Sequence, residues 1–430
     1  SSVSHTFNRL DRRQFLQTIG GGIVILFTAG ETLQAQGQRG GERPDFNAYL
    51  LIGEDGRVTC FTGKVELGQG PITSLAQTLA DELDVSVESI DMVMGDTARC
   101  PFDAGTWGSM TTPYFGPVLR AAGAEARAVL MGLAAVRLNV PKDRLDVENG
   151  VVFDRTKRDV KVTYAQLAEG KKITRRLEQQ VQVKNVSQFK IIGKPHNRID
   201  AAEKVTGKAQ YTGDIRVDGM VFAKVLQPPA HGAKLKSLDA SAVEKMEGFQ
   251  VVRDGELVAV LHKCPDMAEN ALAQIKAEYD VPGPRFDDKT VFDYFVERAG
   301  EGRVIRKNGD VETGHKLARD IVENRYLNGY VAHSPMEPHT AVAKFDGDGL
   351  TVWASTQTPF GLQRQLVDET KLPIEKIHVI TPFVGGGFGG KISNGQAIQA
   401  VKIAKIAGKP VQVAWSRADE FFYDTFRPAA

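Results

Sequence analysis

Residues 384–391 read Val-Gly-Gly-Gly-Phe-Gly-Gly-Lys, five glycines around one aromatic of a kind usually found buried. Glycine lets backbone approach a bulky ligand closely and reach positive φ without strain. The run follows a strand-like segment, His378-Val379-Ile380-Thr381-Pro382-Phe383. A glycine-rich loop after a strand is a common holder of anionic groups. Gly385 to Lys391 satisfies the phosphate-loop pattern G-x-x-x-x-G-K. The next residue is Ile392, however, where that loop needs a Ser or Thr hydroxyl for magnesium, and Ser393 comes one position late. The segment offers a cradle of amides without the metal-binding hydroxyl.

Two further segments carry groups of matching chemistry. Ala354-Ser355-Thr356-Gln357-Thr358 closes the strand-like Leu350-Thr351-Val352-Trp353. The Gln357 amide supplies a donor and an acceptor without adding charge. Some three hundred residues earlier stands Gly63-Lys64-Val65-Glu66-Leu67-Gly68-Gln69-Gly70, followed by Asp96-Thr97, Pro101 and Gly105-Thr106-Trp107-Gly108-Ser109. A fourth segment, His333-Ser334-Pro335-Met336-Glu337-Pro338-His339, invites a metal-ligand reading. Its two prolines break any helical face and its spacing is wide for a zinc site, which disfavours that reading of His333, Glu337 and His339.

In this order the segments resemble the molybdenum-cofactor-binding large subunit of the xanthine dehydrogenase and aldehyde oxidase family. The resemblance runs from about residue 45 to the end and is closest to the isoquinoline 1-oxidoreductase β-subunit-like branch, where the Gly-Gln-Gly segment also lies near the N-terminus. It implies a mixed α/β (α+β) fold, with a molybdopterin-binding domain and an α/β hammerhead domain. It further implies a molybdopterin cofactor carrying molybdenum, in its cytosine dinucleotide form. Gln357, Phe388 and Gly389 would stand at the metal, with the Phe388 ring helping to keep the site dry. Gly68, Gln69, Gly70, Thr106, Gly108, Ser109, Gly386 and Gly387 would hold the pterin. Trp107 replaces a residue that is often small in relatives.

The implied activity is hydroxylation of an aldehyde or N-heteroaromatic substrate with oxygen from water. Electrons would pass to [2Fe-2S] clusters on a small partner subunit and on to a cytochrome c subunit. Ile392 stands where purine-oxidising members place an acidic residue, which favours an apolar substrate. The family's general base is a glutamate in a G-x-G-E motif, and no such motif occurs here. That base is expected on a companion chain carrying the C-terminal half of the large subunit. Two other readings stay open at this point: a phosphate-loop-like nucleotide-binding protein, and an assembly scaffold without cofactor.

The elements that must position these groups are partly legible. The 430 residues suffice for several domains, and the net charge of +1 gives no surface for nucleic acid. Cys60, Cys100 and Cys264 form no C-x-x-C pair, so no cluster is expected on this chain; each is read as a small buried apolar residue. Arg12-Arg13 before the apolar run from Ile19 to Gly30 looks like a twin-arginine export signal, with a cleavage region near Ala35. This predicts a periplasmic protein, membrane-associated if the segment is retained. The run is about 12 residues, short of the ~20 that span a bilayer.

Four segments are expected: a signal and linker over 1–40, an N-terminal part of the molybdopterin-binding domain over 41–190, the hammerhead domain over 191–285, and the first half of the main molybdopterin-binding domain over 286–430. Alternating residues predict a hairpin over Tyr49–Ile52 and Val58–Phe61, joined by a turn at Gly53–Gly56. Ile72, Leu75, Leu79 and Leu83 predict a helix capped by Thr73 or Ser74, and Pro117–Leu138 a second. Strands are expected at Met220–Leu226 and Val258–Leu261. A helix with Met267, Ala271 and Ile275 inward should follow, and Val281 to Arg285 should end that unit.

Overall fold

The computed structural model describes residues 22–28, 47–170, 172–176, 182–284 and 286–430. Arg12, Arg13, Ala35 and Arg285, and with them the arginine pair and cleavage region of the expected signal, lie outside those residues.

A five-stranded sheet forms the first half. Its strands are β1 (Gly22–Thr28), β2 (Asn47–Gly53), β3 (Val58–Thr62), β4 (Ile90–Met94) and β5 (Lys172–Arg176), in the order β4-β3-β2-β1-β5. The expected hairpin is β2–β3, closed by a turn in which the Gly56 amide donates to the Gly53 carbonyl. Helices α1 (Pro71–Leu83) and α2 (Gly116–Leu138) cover one face. Leu75, Leu79 and Leu83 of α1 meet Leu50, Ile52 and Leu119 in one core, as the i, i+4 spacing requires. The start of α1 differs from the expectation. Gly70, in a left-handed conformation, precedes Pro71 at the first turn, and neither Thr73 nor Ser74 is the cap. The Thr73 hydroxyl instead accepts from the Ile199 amide.

The apolar run expected as an export signal contributes β1. It pairs antiparallel with β2 and parallel with β5, and Ile23 and Val24 are buried. Those residues fill an interior place in the sheet, between β2 and β5, although the expected signal segment left them out of the fold. Among the described residues, no helix is long and apolar enough to cross a membrane.

The second half is built on a seven-stranded sheet: β6 (Val221–Val225), β7 (Gln250–Asp254), β8 (Leu257–His262), β9 (Thr340–Asp346), β10 (Gly349–Ala354), β11 (Ile377–Ile380) and β12 (Val411–Ala414), in the order β7-β8-β6-β12-β9-β10-β11. Segment 191–285 thus shares a sheet with segment 286–430, through the parallel pair β6–β12. Helix α3 (Pro265–Leu272) buries Ala268 and Ala271. Ala271 and, just beyond the helix end, Ile275 are buried as expected, whereas Met267 is exposed and Ala268 takes its inward place. Helices α4 (Pro359–Thr370) and α5 (Gly395–Ala407) pack Leu362, Leu366, Val401 and Ile403 on Val352 and Val379 of β10 and β11. Helix α6 (Arg417–Tyr423) follows β12 and is capped by Ser416.

The halves are joined at an edge. Asp96 bridges Ile380 of β11, the Thr97 amide donates to the Val379 carbonyl, and the Thr381 amide donates to the Gly95 carbonyl. The Asp96 carboxylate also meets His378 Nε2 at 2.7 Å. The segment after β4 therefore continues the large sheet beyond β11, beside the strand that feeds the glycine loop.

Candidate functional site

Three distant segments converge on Gln357, which is 2% exposed. Strand β10 ends at Ala354, and the next residues turn under the glycine loop. The Gln357 amide nitrogen of the backbone donates to the Lys391 carbonyl at 2.8 Å, while its own carbonyl accepts from the Thr106 amide at 2.9 Å. Its side chain completes the junction. Nε2 donates to the Thr106 carbonyl at 2.8 Å, and Oε1 accepts from the Gly389 amide at 3.1 Å. One further N–H and one lone pair remain on that carboxamide.

Thr106 in turn holds the Gly-Gln-Gly segment. Its hydroxyl accepts from the Val65 amide at 3.1 Å, and the Glu66 carbonyl accepts from the Val384 amide at 3.1 Å. Gly105 has φ +139°, and an added Cβ would lie 1.9 Å from the Trp107 ring, so Trp107 packs on the bare backbone of Gly105. The larger residue at 107 is accommodated by that glycine.

The loop glycines divide by what presses on them. A Cβ at Gly385 would meet Glu337 at 2.5 Å, one at Gly387 would meet Gln357 Oε1 at 2.5 Å, and one at Gly390 would meet Asp424 at 2.5 Å. Gly386 and Gly389 have positive φ, as does Phe388, at 56°. A bulky residue in the left-handed region is uncommon and costs free energy. The Phe388 ring is 73% exposed, although its residue type is one usually found buried. Among the described residues, the amides of Gly386, Gly387 and Phe388 donate to no acceptor, whereas those of Val384, Gly385 and Gly389 all do. Gly386 and Gly387 are buried. Consecutive unsatisfied N–H groups at a buried turn are a site for an electronegative ligand atom.

Beneath the loop lies a clamp that sequence reasoning only touched. Glu337 Oε2 accepts from the Gly385 amide and from Lys391 Nζ, each at 2.8 Å, and the Glu337 amide donates to the Gly385 carbonyl. Both ends of the loop hang on this one side chain. Lys391 is fully buried, and burial pushes its ammonium down against the pull of Glu337. His333 Nδ1 meets Asp424 at 3.0 Å, and His339 Nδ1 meets Glu420 at 2.7 Å. Each imidazole is thus engaged with a carboxylate inside the fold. Of the cysteines, Cys60 and Cys100 are buried, and burial pushes the Cys100 thiol up to about 12; Cys264 is exposed, contrary to expectation.

The remaining residues named from sequence lie outside the junction. Gln69 is exposed and turned onto its own loop: Oε1 accepts from the Leu67 amide and Nε2 donates to the Val65 carbonyl. Gly68, Gly108 and Ser109 are exposed, with φ of 101°, 63° and 56°. The Gly68–Gly70 turn is gripped by Glu66, whose carboxylate accepts from the amides of Gly68, Gly70 and Ile72. Arg198 reaches across to donate to Glu66, to the Gly68 carbonyl and to Asp200. The Arg198 hydrogen bond holds the Asp200 carboxyl well below the usual carboxylate range. Lys64 and Asp103, both buried, pair at 3.0 Å under the Thr106 turn. Desolvation outweighs their attraction, pushing Asp103 up to about 6 and Lys64 down. A lone charge in a neutral sequence run gives no signal of such pairing.

A nucleotide-hydrolase loop needs its lysine free for phosphate. Here that lysine is internal, and the groups on offer are neutral amides from three parts of the chain. A family model described as the molybdopterin cofactor-binding domain matches residues 7–224, and a second of the same description matches 296–430. The chain belongs to this molybdopterin-binding family of the molybdenum hydroxylases. It is 29% identical to a subunit of nicotinate dehydrogenase from Pseudomonas putida, over 87% of this chain and 32% of that protein. It is 28% identical to the β subunit of isoquinoline 1-oxidoreductase of Brevundimonas diminuta, over 98% and 61%. It is 26% identical to a membrane-bound aldehyde dehydrogenase [pyrroloquinoline-quinone] of Gluconacetobacter polyoxogenes, over 97% and 57%. The chain spans between about a third and three fifths of the length of these curated relatives.

Proposed function

We propose that this chain is the part of a molybdenum hydroxylase that seats the metal-bearing end of the pterin cofactor against the Gln357–Gly389 junction. The observation that carries the reading is the row of unpartnered amides at 386–388, beside a glutamine that already ties Gly389 to Thr106. The residues fit an anionic, oxygen- and sulfur-rich group: consecutive N–H donors at the turn have no acceptor among the described residues, and the free N–H of Gln357 adds a donor without charge. When bound, the molybdenum pterin supplies two-electron oxidation of a substrate carbon with oxygen from water. This chain's contribution is to hold and orient that group. Glu337 fixes the height of the loop, Gln357 fixes Gly389, and Thr106 fixes Gln357.

The substrate is proposed to be an aldehyde or an N-heteroaromatic ring, the two kinds of compound named for the relatives. The apolar Ile392 and exposed Phe388 at the loop suit such a partner. The general-base glutamate is placed on a companion polypeptide, and the [2Fe-2S] clusters on a small subunit that passes electrons to a cytochrome c. The cytosine dinucleotide form of the cofactor, and export to the periplasm through the twin-arginine route, complete the proposal. Mass spectrometry of the mature N-terminus decides the last, since cleavage near Ala35 would remove β1 from its sheet.

The test is elemental and pterin analysis of the complex purified from its native organism through a tag on this chain. One molybdenum and one pterin per chain are expected, with both lowered in the Gln357→Ala variant. A metal-free, pterin-free complex would favour the scaffold reading and overturn this one. Binding of ATP, lost on Lys391→Ala, would revive the nucleotide reading; none is expected, because Lys391 is buried against Glu337.

A further inference from the structure

The Gly68–Gly70 turn, expected to hold the pterin, is not kept in place by packing. Among the described residues, a Cβ at Gly68 would meet nothing within 4 Å, and one at Gly70 would meet only the Arg198 guanidinium, at 3.7 Å. Both backbone groups of Gly68 are held by side chains instead. Its amide donates to Glu66 at 2.8 Å, and its carbonyl accepts from Arg198 Nη1 at 2.8 Å. Glu66 is 4% exposed and Asp200 3%, so both carboxylates need partners within the fold. Arg198 serves the two at once. Nε and Nη2 donate to the two oxygens of Asp200 at 2.9 and 2.7 Å, and Nη2 also donates to Glu66 at 3.2 Å. Lys204 Nζ completes the charge balance, 2.5 Å from Asp200 and 3.9 Å from Glu66. A two-point bond to a carboxylate fixes the plane of a guanidinium. Asp200 thereby aims the remaining nitrogen at the Gly68 carbonyl.

The same segment reaches the second loop expected at the cofactor. Lys204 Nζ stands 4.8 Å from the centre of the Phe383 ring. The Gln210 carbonyl accepts from the Phe383 amide at 3.2 Å, and Tyr211 forms a β-bridge with Phe383. The next amide, that of Val384, donates to the Glu66 carbonyl. Residues 198–211 thus touch both the 68–70 turn and the foot of the glycine loop, and Glu66 is common to the two.

We propose that Arg198, oriented by Asp200, is a positioning residue for the cofactor: it fixes the Gly68–Gly70 turn, and the 198–211 strut holds that turn in register with the glycine loop. Arg198 acts through the Gly68 carbonyl and Glu66. The proposal rests on the molybdenum reading above. A lysine at this position would keep the charge, but a single point of charge cannot serve Asp200, Glu66 and Gly68 in one geometry. Arg198→Lys therefore separates positioning from charge balance.

The test compares wild type with Arg198→Lys and Asp200→Asn in the tagged complex from the native organism. Three quantities are read: thermal unfolding, hydrogen exchange at the Gly68 and Gly70 amides, and the rate at which pterin leaves the diluted complex. In Arg198→Lys the unfolding temperature should match wild type. Exchange at the two amides should rise about tenfold or more, as on loss of one charge-assisted hydrogen bond, and pterin should leave faster by a similar factor. Asp200→Asn, which keeps Arg198 but unfastens it, should raise exchange at the same two amides. Wild-type exchange and pterin release in both variants would overturn the proposal. So would faster exchange spread evenly over the α1–α2 core together with earlier unfolding, the mark of a structural role alone. Both of those outcomes leave the molybdenum reading standing. A wild-type complex without molybdenum or pterin would overturn that reading, and this proposal with it.

Discussion

Replacing Gln357 by Glu changes one atom's chemistry at the centre of the junction. The carboxylate can still accept from the Gly389 amide, but where Nε2 donated to the Thr106 carbonyl at 2.8 Å, two oxygens now face each other. At 2% exposure water cannot relieve them. The Thr106 carbonyl loses its donor, about 1–3 kcal/mol for an orphaned buried group, and the new carboxylate is desolvated. Both effects favour the protonated acid, which can donate to Thr106 as the amide did. The folded-state pKa of this glutamate should therefore lie above the unfolded value of about 4.3. A rise of about two units corresponds to roughly 2.7 kcal/mol. For a raised acid the folded state holds the extra proton, so the penalty is absent below about pH 4. It grows as pH rises and is complete once the folded pKa is passed. The assay is denaturant unfolding of variant and wild type side by side from pH 4.5 to pH 8, with the difference taken at each pH so that other groups cancel. Hydrogen exchange at Gly389 should rise in parallel. A difference flat in pH, or a variant as stable as wild type at pH 8, would refute the bridging role of Gln357.

Glu337→Ala leaves Lys391 buried without its counter-charge and orphans the Gly385 amide, a loss of about 3–5 kcal/mol; the Glu337→Gln/Lys391→Met pair should recover most of it in a double-mutant cycle. Acid should loosen the Gly68–Gly70 turn. The Asp200 carboxyl is held below its ordinary range by Arg198, so its contribution is present above about pH 4 and lost as pH falls through the folded value. Asp200→Asn should blunt that acid loss in a melting series. Thiol labelling of the native protein should modify Cys264 and spare Cys60 and Cys100, all three reacting after denaturation; rapid native labelling of Cys100 would contradict its burial.

Local signals carried the reading well where the structure is local. The β2–β3 turn, the alanine-rich helix over Gly116–Leu138 and the turn-forming glycines of 385–390 announce themselves through period and residue type. Gln357 stood out through its spacing from that loop, and the structure brings it to Gly389 and Thr106. The misses are long-range. Glu66 caps α1 from outside the helix, so Thr73 and Ser74 were the visible but wrong candidates. The Glu337–Lys391 and Lys64–Asp103 pairs join residues 54 and 39 positions apart, and no pattern in a single sequence says which charges will meet inside. The exposure of Phe388 was misjudged because residue type gives average burial, while a left-handed φ turns this ring outward.

The seam between residues 95–97 and β11 has a consequence for how the molecule is made. Its bonds link positions about 282 apart in the chain, among the costliest contacts to close when a chain collapses. Each sheet can form around its own helices first; Gln357 can meet Thr106 only after the two have docked. The nascent polypeptide should therefore pass through a stage with both cores packed and Gln357 not yet tied to Thr106.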